Sequence, residues 1–192
     1  AYFPPLPRAG SLKAQHVTGS PGKNGTTIGD TYLLAIKAAR KSILLEHSYF
    51  VPPPEIRSAL ADAARRGVRI DVIIPGQHTD MPIALNAANR SYRKLMEAGV
   101  RIHRYQPTMM HNKLMIVDDT FISLGSANID GRSFFINDEN NVHVLSRAFA
   151  AEQTAMFRRD LRRCRQLTPA DLPNTIRDLP LTLAAQAIAP QL

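Results

Sequence analysis

The sequence predicts an α/β fold, a sheet with helices packed on it. Stretches with apolar residues at helical spacing alternate with short runs rich in Val, Ile and Leu, and the connections between them are short and closed by Pro or Gly. Its length agrees: 192 residues, 44% of them apolar, are enough for one well-buried core.

The elements follow in order. Residues 1–26 read as an irregular lead-in, with Pro4, Pro5 and Pro7 first, "GSPGKNGT" later, and a short strand in "LKAQHV" between. From Thr27 to Arg40, Ile28, Tyr32, Leu33 and Ile36 share one helical face, and Lys37, Arg40 and Lys41 sit where the helix dipole favours cations. "SILLEHSYFV" is a strand stopped by Pro52, Pro53 and Pro54. A helix over 54–66 follows, with Pro in its first turn and Gly67 at its C-cap. "VRIDVIIPG" is the next strand, 82–98 the next helix, capped by Gly99, and "VRIHRY" the next strand. "HNKLMIVDDTFISLGSAN" is a hairpin, "ENNVHVLS" a strand and 147–166 a helix. The tail, 167–192, is punctuated by Pro, and its last apolar stretch is expected to pack on the domain as a short helix. The domain organisation is thus 1–26 lead-in, 27–166 main α/β domain, 167–192 extension.

The charge of +8, from 24 Lys+Arg against 16 Asp+Glu, suits a polyanionic partner: nucleic acid, an anionic membrane surface or a phosphate-bearing substrate. No apolar run is long enough to span a bilayer. The sequence opens on Ala without a basic start or apolar signal core, as expected of a chain cut or excerpted from a longer one. Cys164, the lone cysteine, has no internal disulfide partner and reads as a small half-buried residue on a helix.

The hairpin carries the densest chemistry. Side chains alternate on a strand, so His111, Lys113, Met115 and Val117 point one way and Leu114, Ile116 and Asp118 the other. With "DDT" as the turn and Val117 opposite Phe121, Lys113 comes opposite Gly125 and His111 opposite Ala127. His111 and Lys113 therefore reach the same sheet end as Gly125, Ser126 and Asn128. An imidazole can attack phosphorus or protonate a leaving oxygen near neutral pH; an ammonium neutralises phosphate oxygens, and Ser and Asn add donors. Asp118 faces away, which assigns it to the turn.

The pattern H-x-K-x4-D-x6-G-S-x-N resembles the signature of the phospholipase D superfamily, matched by His111, Lys113, Asp118, Gly125, Ser126 and Asn128. Asn137 and Glu139 in "INDENNV" look like the family's N-x-E segment, whose glutamate hydrogen-bonds the catalytic histidine. "EHSYFVPPPEIRSALADAARRGVRIDVIIPG", "RSYRKLMEAGVRIHRYQP" and "GSANIDGRSFFINDENNVHV" resemble the second half of bacterial cardiolipin synthases, the likeness covering about residues 14–166.

The resemblance implies a sandwich with a mixed sheet and a metal-free, cofactor-free phosphodiester transfer on phospholipid through a phosphohistidine. His111 would be acid or nucleophile, Lys113, Ser126 and Asn128 would hold phosphate, Glu139 would orient His111, and Asp118 and Gly125 would be structural. It also implies a peripheral place on the bacterial cytoplasmic membrane. A second histidine is required, and none of the others (16, 47, 78, 103 and 143) is followed by Lys two residues on. The chain thus supplies one half-site, to be completed by another half-domain or a second subunit. A homodimeric nuclease acting on DNA is the alternative enzyme, and a non-catalytic half-domain that binds lipid or a partner is the alternative outside catalysis.

Other stretches carry weaker expectations. His47 reads as a partly buried histidine bonded to backbone, with selection of the acceptor alcohol as its functional alternative. Phe157, Leu161 and Cys164 are expected on one face of the last helix, with Arg158, Arg159, Arg162, Arg163 and Arg165 on the others, solvated or against anionic lipid. Met109 and Met110 are core or an apolar approach for acyl chains. "QHTDMPIALNAANRSY" begins at a strand's C-terminal end, where α/β folds bind ligands.

Overall fold

A computed structural model describes residues 4, 5, 7, 10–21, 27–79 and 82–172, with 82–87 and 90 described by backbone alone. The elements are β1 (Ala14–Gly19), α1 (Thr27–Ala38), β2 (Ser42–His47), α2 (Pro54–Arg65), β3 (Arg69–Pro75), α3 (Pro82–Glu97) and β4 (Arg101–Tyr105). They continue with β5 (Lys113–Val117), β6 (Phe121–Gly125), α4 (Gly131–Phe135), β7 (Glu139–Leu145), α5 (Arg147–Leu161), β8 (Cys164–Gln166) and a 3₁₀ turn at Pro169–Asp171.

The strands form one mixed eight-stranded sheet in the order β1-β7-β6-β5-β2-β3-β4-β8. Pairs β2–β3 and β3–β4 are parallel and the rest antiparallel. Consecutive right-handed crossovers place α2 and α3 on the same face. Ile36, Leu60, Tyr92 and Phe134 from α1–α4 pack there on Ile43, Leu45, Val72 and Met115. On the opposite face Ala150 and Phe157 of α5 pack on Leu44, Ile73, Leu114 and Ile116. The alternation expected of β5 is therefore met, Met115 and Val117 facing one helical layer and Leu114 and Ile116 the other. Gly67 and Gly99 follow α2 and α3 at φ +90° and +102°, and the amides of Val68 and Val100 reach back to the carbonyls of Ala63 and Leu95. Both helices thus end in the left-handed closure that glycine permits.

Three expectations are corrected. The strand "SILLEHSYFV" stops at His47; the chain peels away at Ser48 and re-pairs at Phe50 with Ile129. The helix expected over 147–166 ends at Leu161, and Cys164–Gln166 turns back as an edge strand on β4, where ladder bonds replace helical ones. Cys164 is thus half-buried on a strand, and Phe157 and Leu161 share the helix without it. In the tail, Leu167 and Leu172 are buried in the larger core, whereas the helix expected further on lies outside the described residues. Asp80 and Met81, before α3 in sequence, lie outside them too.

Candidate active site

The hairpin register is Val117↔Phe121 through Leu114↔Leu124, which extends to Lys113 opposite Gly125. His111 and Asn112 lie just outside the ladder and are exposed, and Lys113 is half-buried. Lys113 Nζ donates to Ser48 Oγ at 3.1 Å and to the His111 carbonyl at 3.1 Å. The His111 ring stands edge-on to Tyr49, centroids 6.2 Å apart. Tyr49 N–H in turn donates to Asn128 Oδ1 at 3.2 Å. The H-x-K arm and the turn after β6 therefore meet through Ser48 and Tyr49, the residues released when β2 ends early.

That turn is held from beneath. A Cβ on Gly125 would fall on the Asn140 carbonyl oxygen and on Asn141 Oδ1, so close approach of two backbones, not an unusual φ, requires glycine there. Asn141 Oδ1 accepts from Ala127 N–H at 3.2 Å, and its Nδ2 donates to Tyr32 Oη at 2.9 Å and Ser123 Oγ at 3.0 Å. Ser126 donates to Glu139 and accepts from Asn140 N–H at 2.9 Å. Asn128, buried, donates its N–H to Ser133 Oγ at 3.1 Å, and Ser133 Oγ donates to Glu139 Oε1 at 2.8 Å. Asn137 Nδ2 adds a third donor to Glu139 at 3.3 Å.

Glu139 thus spends its oxygens on Ser126, Ser133 and Asn137. Within one chain it braces the phosphate-binding candidates; its hydrogen bonds do not include the expected one to His111. Asp130 caps α4 by accepting Ser133 N–H at 2.7 Å, and burial, with the charge of Glu139 adding to it, pushes its carboxyl up to about 6. Asp118 sits at the far end of the hairpin, where its carboxylate accepts the amides of Arg40, Lys41 and Ser42. Its burial opposes ionisation, but those amides outweigh it and hold the pKa below the usual carboxylate range.

His47 departs from expectation. The ring is fully buried against Tyr32, and neither nitrogen has a hydrogen-bond partner among the described residues. Burial first, and then the charge of Lys113, push its pKa down to about 3. It is a neutral core residue behind Lys113, not one bonded to backbone, and it has no surface to offer an acceptor alcohol.

α5 runs toward the site end of the sheet, because Cys164 just beyond it pairs with Tyr105 at the end of β4. Arg158, Arg159, Arg162 and Arg163 are exposed there, with Arg163 over the Tyr105 ring at 5.5 Å. Met110 is buried under α5, while Met109 beside it is 45% exposed. No helix of the described residues is long and apolar enough to cross a membrane.

Residues 32–161 match the family described as cardiolipin synthase, phospholipase D-like domain. The chain belongs to this family. It is 30% identical over 167 residues to cardiolipin synthase 2 of Staphylococcus epidermidis, a match covering 87% of this chain and 34% of that protein. It is 32% identical over 167 residues to the minor cardiolipin synthase of Bacillus subtilis, covering 86% and 42%. The chain therefore spans well under half the length of these relatives. The fold is that of phospholipase D family members. The family member Nuc from Salmonella typhimurium superposes with a TM-score of 0.69 at 21% identity, covering 82% of this chain and 99% of Nuc. Phosphatidylserine synthase of Haemophilus influenzae gives 0.73 at 16% identity, covering 97% and 49%. One copy of the fold accounts for nearly all of one neighbour and half of the other.

Sequence reasoning missed Tyr32, Asn141 and Ser133 as parts of the site. Asn141 was within reach, since it shares a strand face with Glu139 two residues away. Tyr32 carried no such signal: it reads as one more apolar position on α1, and only the packing shows its hydroxyl under the turn.

Proposed function

We propose that this chain carries one half of a phosphodiester-transfer site acting on phospholipid, of the cardiolipin synthase type. The observation that supports it best is the hairpin register, which brings the H-x-K arm of a chain in this family to the end of the sheet that bears Ser126 and Asn128. In the proposed reaction one histidine attacks phosphorus, forming an N–P bond as the first alcohol leaves. A second histidine protonates that leaving oxygen, then takes the proton of the incoming alcohol or water, whose oxygen displaces the histidine. His111 fills one of these two positions. Lys113, Ser126 and Asn128 neutralise and orient the phosphate oxygens, and no step calls on a metal or cofactor.

The other histidine comes from a second copy of the motif, in a preceding half-domain or another subunit. A fold that makes up nearly a whole chain in one neighbour and half of one in the other suits either arrangement. The arginines at the end of α5, on the site side, would rest the protein peripherally on an anionic membrane surface, each near-surface cation contributing about 1 kcal/mol.

The test assays transfer and hydrolysis on phosphatidylglycerol vesicles, with EDTA present and with the mass in solution measured in parallel. Activity that needs no metal and falls at least ~1,000-fold in His111→Ala is expected. Activity that survives the substitution overturns the mechanism; cleavage of DNA instead of lipid moves the chain to the nuclease reading, and an inert monomer to the non-catalytic one.

A further inference from the structure

We propose that Glu46 is a positioning residue for this site: from the opposite face of the sheet its carboxyl grips the side chain of Asn112 and so fixes His111 and Lys113 on either side of it. The inference rests on reading those two residues as the phosphate-handling pair.

The geometry is set by strand parity. In the β2–β5 ladder His47 lies opposite Lys113 and Glu46 opposite Leu114. Glu46 therefore shares the α5-side face with Leu44, Leu114 and Ile116, and it is 1% exposed. Asn112, one residue before the ladder, turns its side chain to that face and donates Nδ2 to Glu46 Oε1 at 2.9 Å. On its other side the Asn112 carbonyl accepts Ser48 N–H at 3.0 Å and Ser48 Oγ at 3.2 Å, and Ser48 Oγ accepts from Lys113 Nζ at 3.1 Å. Asn112 is thus clamped through its backbone from Ser48, just past the end of β2, and through its side chain from Glu46. The imidazole beside it has the Tyr49 ring as its described neighbour, so the position of His111 depends on that clamp.

The fold gains little else from a carboxyl here. Glu46 Oε2 has no hydrogen-bond partner among the described residues, and burial of an unpaired acid costs stability. The surrounding groups do not compensate it. α5 presents Asp160, β8 presents Cys164, β4 presents the Tyr105 ring, which is already covered by Arg163, and on β3 Asp71 is taken by Arg101 and His103. Burial first, and Asp160 second, push Glu46 up to about 7 against the opposing Asn112 bond. Its ionised form accepts a stronger bond from Asn112 than its protonated form does. The clamp therefore tightens as pH rises through neutrality.

The experiment follows the Asn112 side-chain amide by NMR in ¹⁵N-labelled chain between about pH 5 and 9, and measures kinetics for Glu46→Gln, Glu46→Leu and Asn112→Ala. The Asn112 amide is expected to titrate with a midpoint near 7 in the wild type and to lose that titration in Glu46→Gln. Glu46→Leu and Asn112→Ala should each lower kcat about 10–100-fold with KM moved less than about threefold, and Glu46→Gln, which keeps an acceptor, should restore most of kcat. The ratio of wild-type to Glu46→Gln activity should change about threefold across neutral pH. An Asn112 amide indifferent to pH and to Glu46→Gln, or an Asn112→Ala protein with wild-type kcat, overturns the proposal. The amide titration needs no turnover, so a failure of the phosphotransfer reading shows separately, as activity that survives His111→Ala. Asn112 is exposed, so its substitution stands in should Glu46→Leu fail to fold.

Discussion

Asp118 Oδ1 accepts the backbone N–H of Lys41 at 2.8 Å, a bond that ties the tip of the β5–β6 hairpin to the start of β2. With the neighbouring amides of Arg40 and Ser42 bound to the same carboxylate, the motif aspartate is a backbone cap far from His111. Asp118→Ala should cost about 1–3 kcal/mol in urea unfolding while kcat of the folded protein stays within about threefold. Asp118→Asn should fall between, because its amide nitrogen turns a donor toward one of the N–H groups. A large loss of kcat without loss of stability would refute the capping role.

Gly125→Ala should be far more harmful than its single methyl suggests. The new Cβ collides with the Asn140 carbonyl and with Asn141 Oδ1, the atom that holds Ala127 N–H. Transfer activity should drop at least about 100-fold, with amide shifts centred on Ser126–Asn128 and β7. Wild-type activity would show that Asn141 does not set the turn.

His47→Leu should flatten the acid limb of stability. The folded protein refuses the imidazole a proton down to about 3, whereas the unfolded chain takes one below its ordinary 6.5. Stability therefore falls as pH drops through that window, by on the order of 5 kcal/mol in all. Chemical unfolding of the wild type and variant between those pH values measures the difference; parallel limbs would show that the buried ring does protonate.

Asp130→Asn should act at the other end of the scale. The folded-state pKa of Asp130 is raised to about 6 from an ordinary 3.8, so its contribution is fully present below the lower value and is lost as pH rises through the higher. Asn keeps the cap on Ser133 N–H and has no charge to bury. The variant should gain up to about 3 kcal/mol over the wild type above pH 7 and little at pH 4. Equal stability at both values would place water around the carboxylate.

The sequence by itself determined the α/β class, the order of elements through β7 except for the short helix α4, the hairpin register and the separation of Asp118 from His111. These follow from period-2 and period-3.6 patterning and from Pro and Gly at the breaks, which are local properties that short stretches of chain carry. It failed at Cys164, where a basic run with no breaker reads as helix, and only the open edge of β4 turns the chain into a strand. It also missed where β2 ends, because nothing in "HSYF" announces that Ser48 and Tyr49 leave the ladder to meet Lys113, His111 and Asn128. Which partners Glu139 takes, whether His47 is wet or dry, and what lies behind Asn112 were decided by tertiary structure. The Asn112–Glu46 and Lys113–Ser48 bonds join side chains 66 and 65 residues apart, while Glu139 meets Ser126, Ser133 and Asn137 within 13 residues around the turn and α4. In each case the meeting is set by packing and not by spacing along the chain.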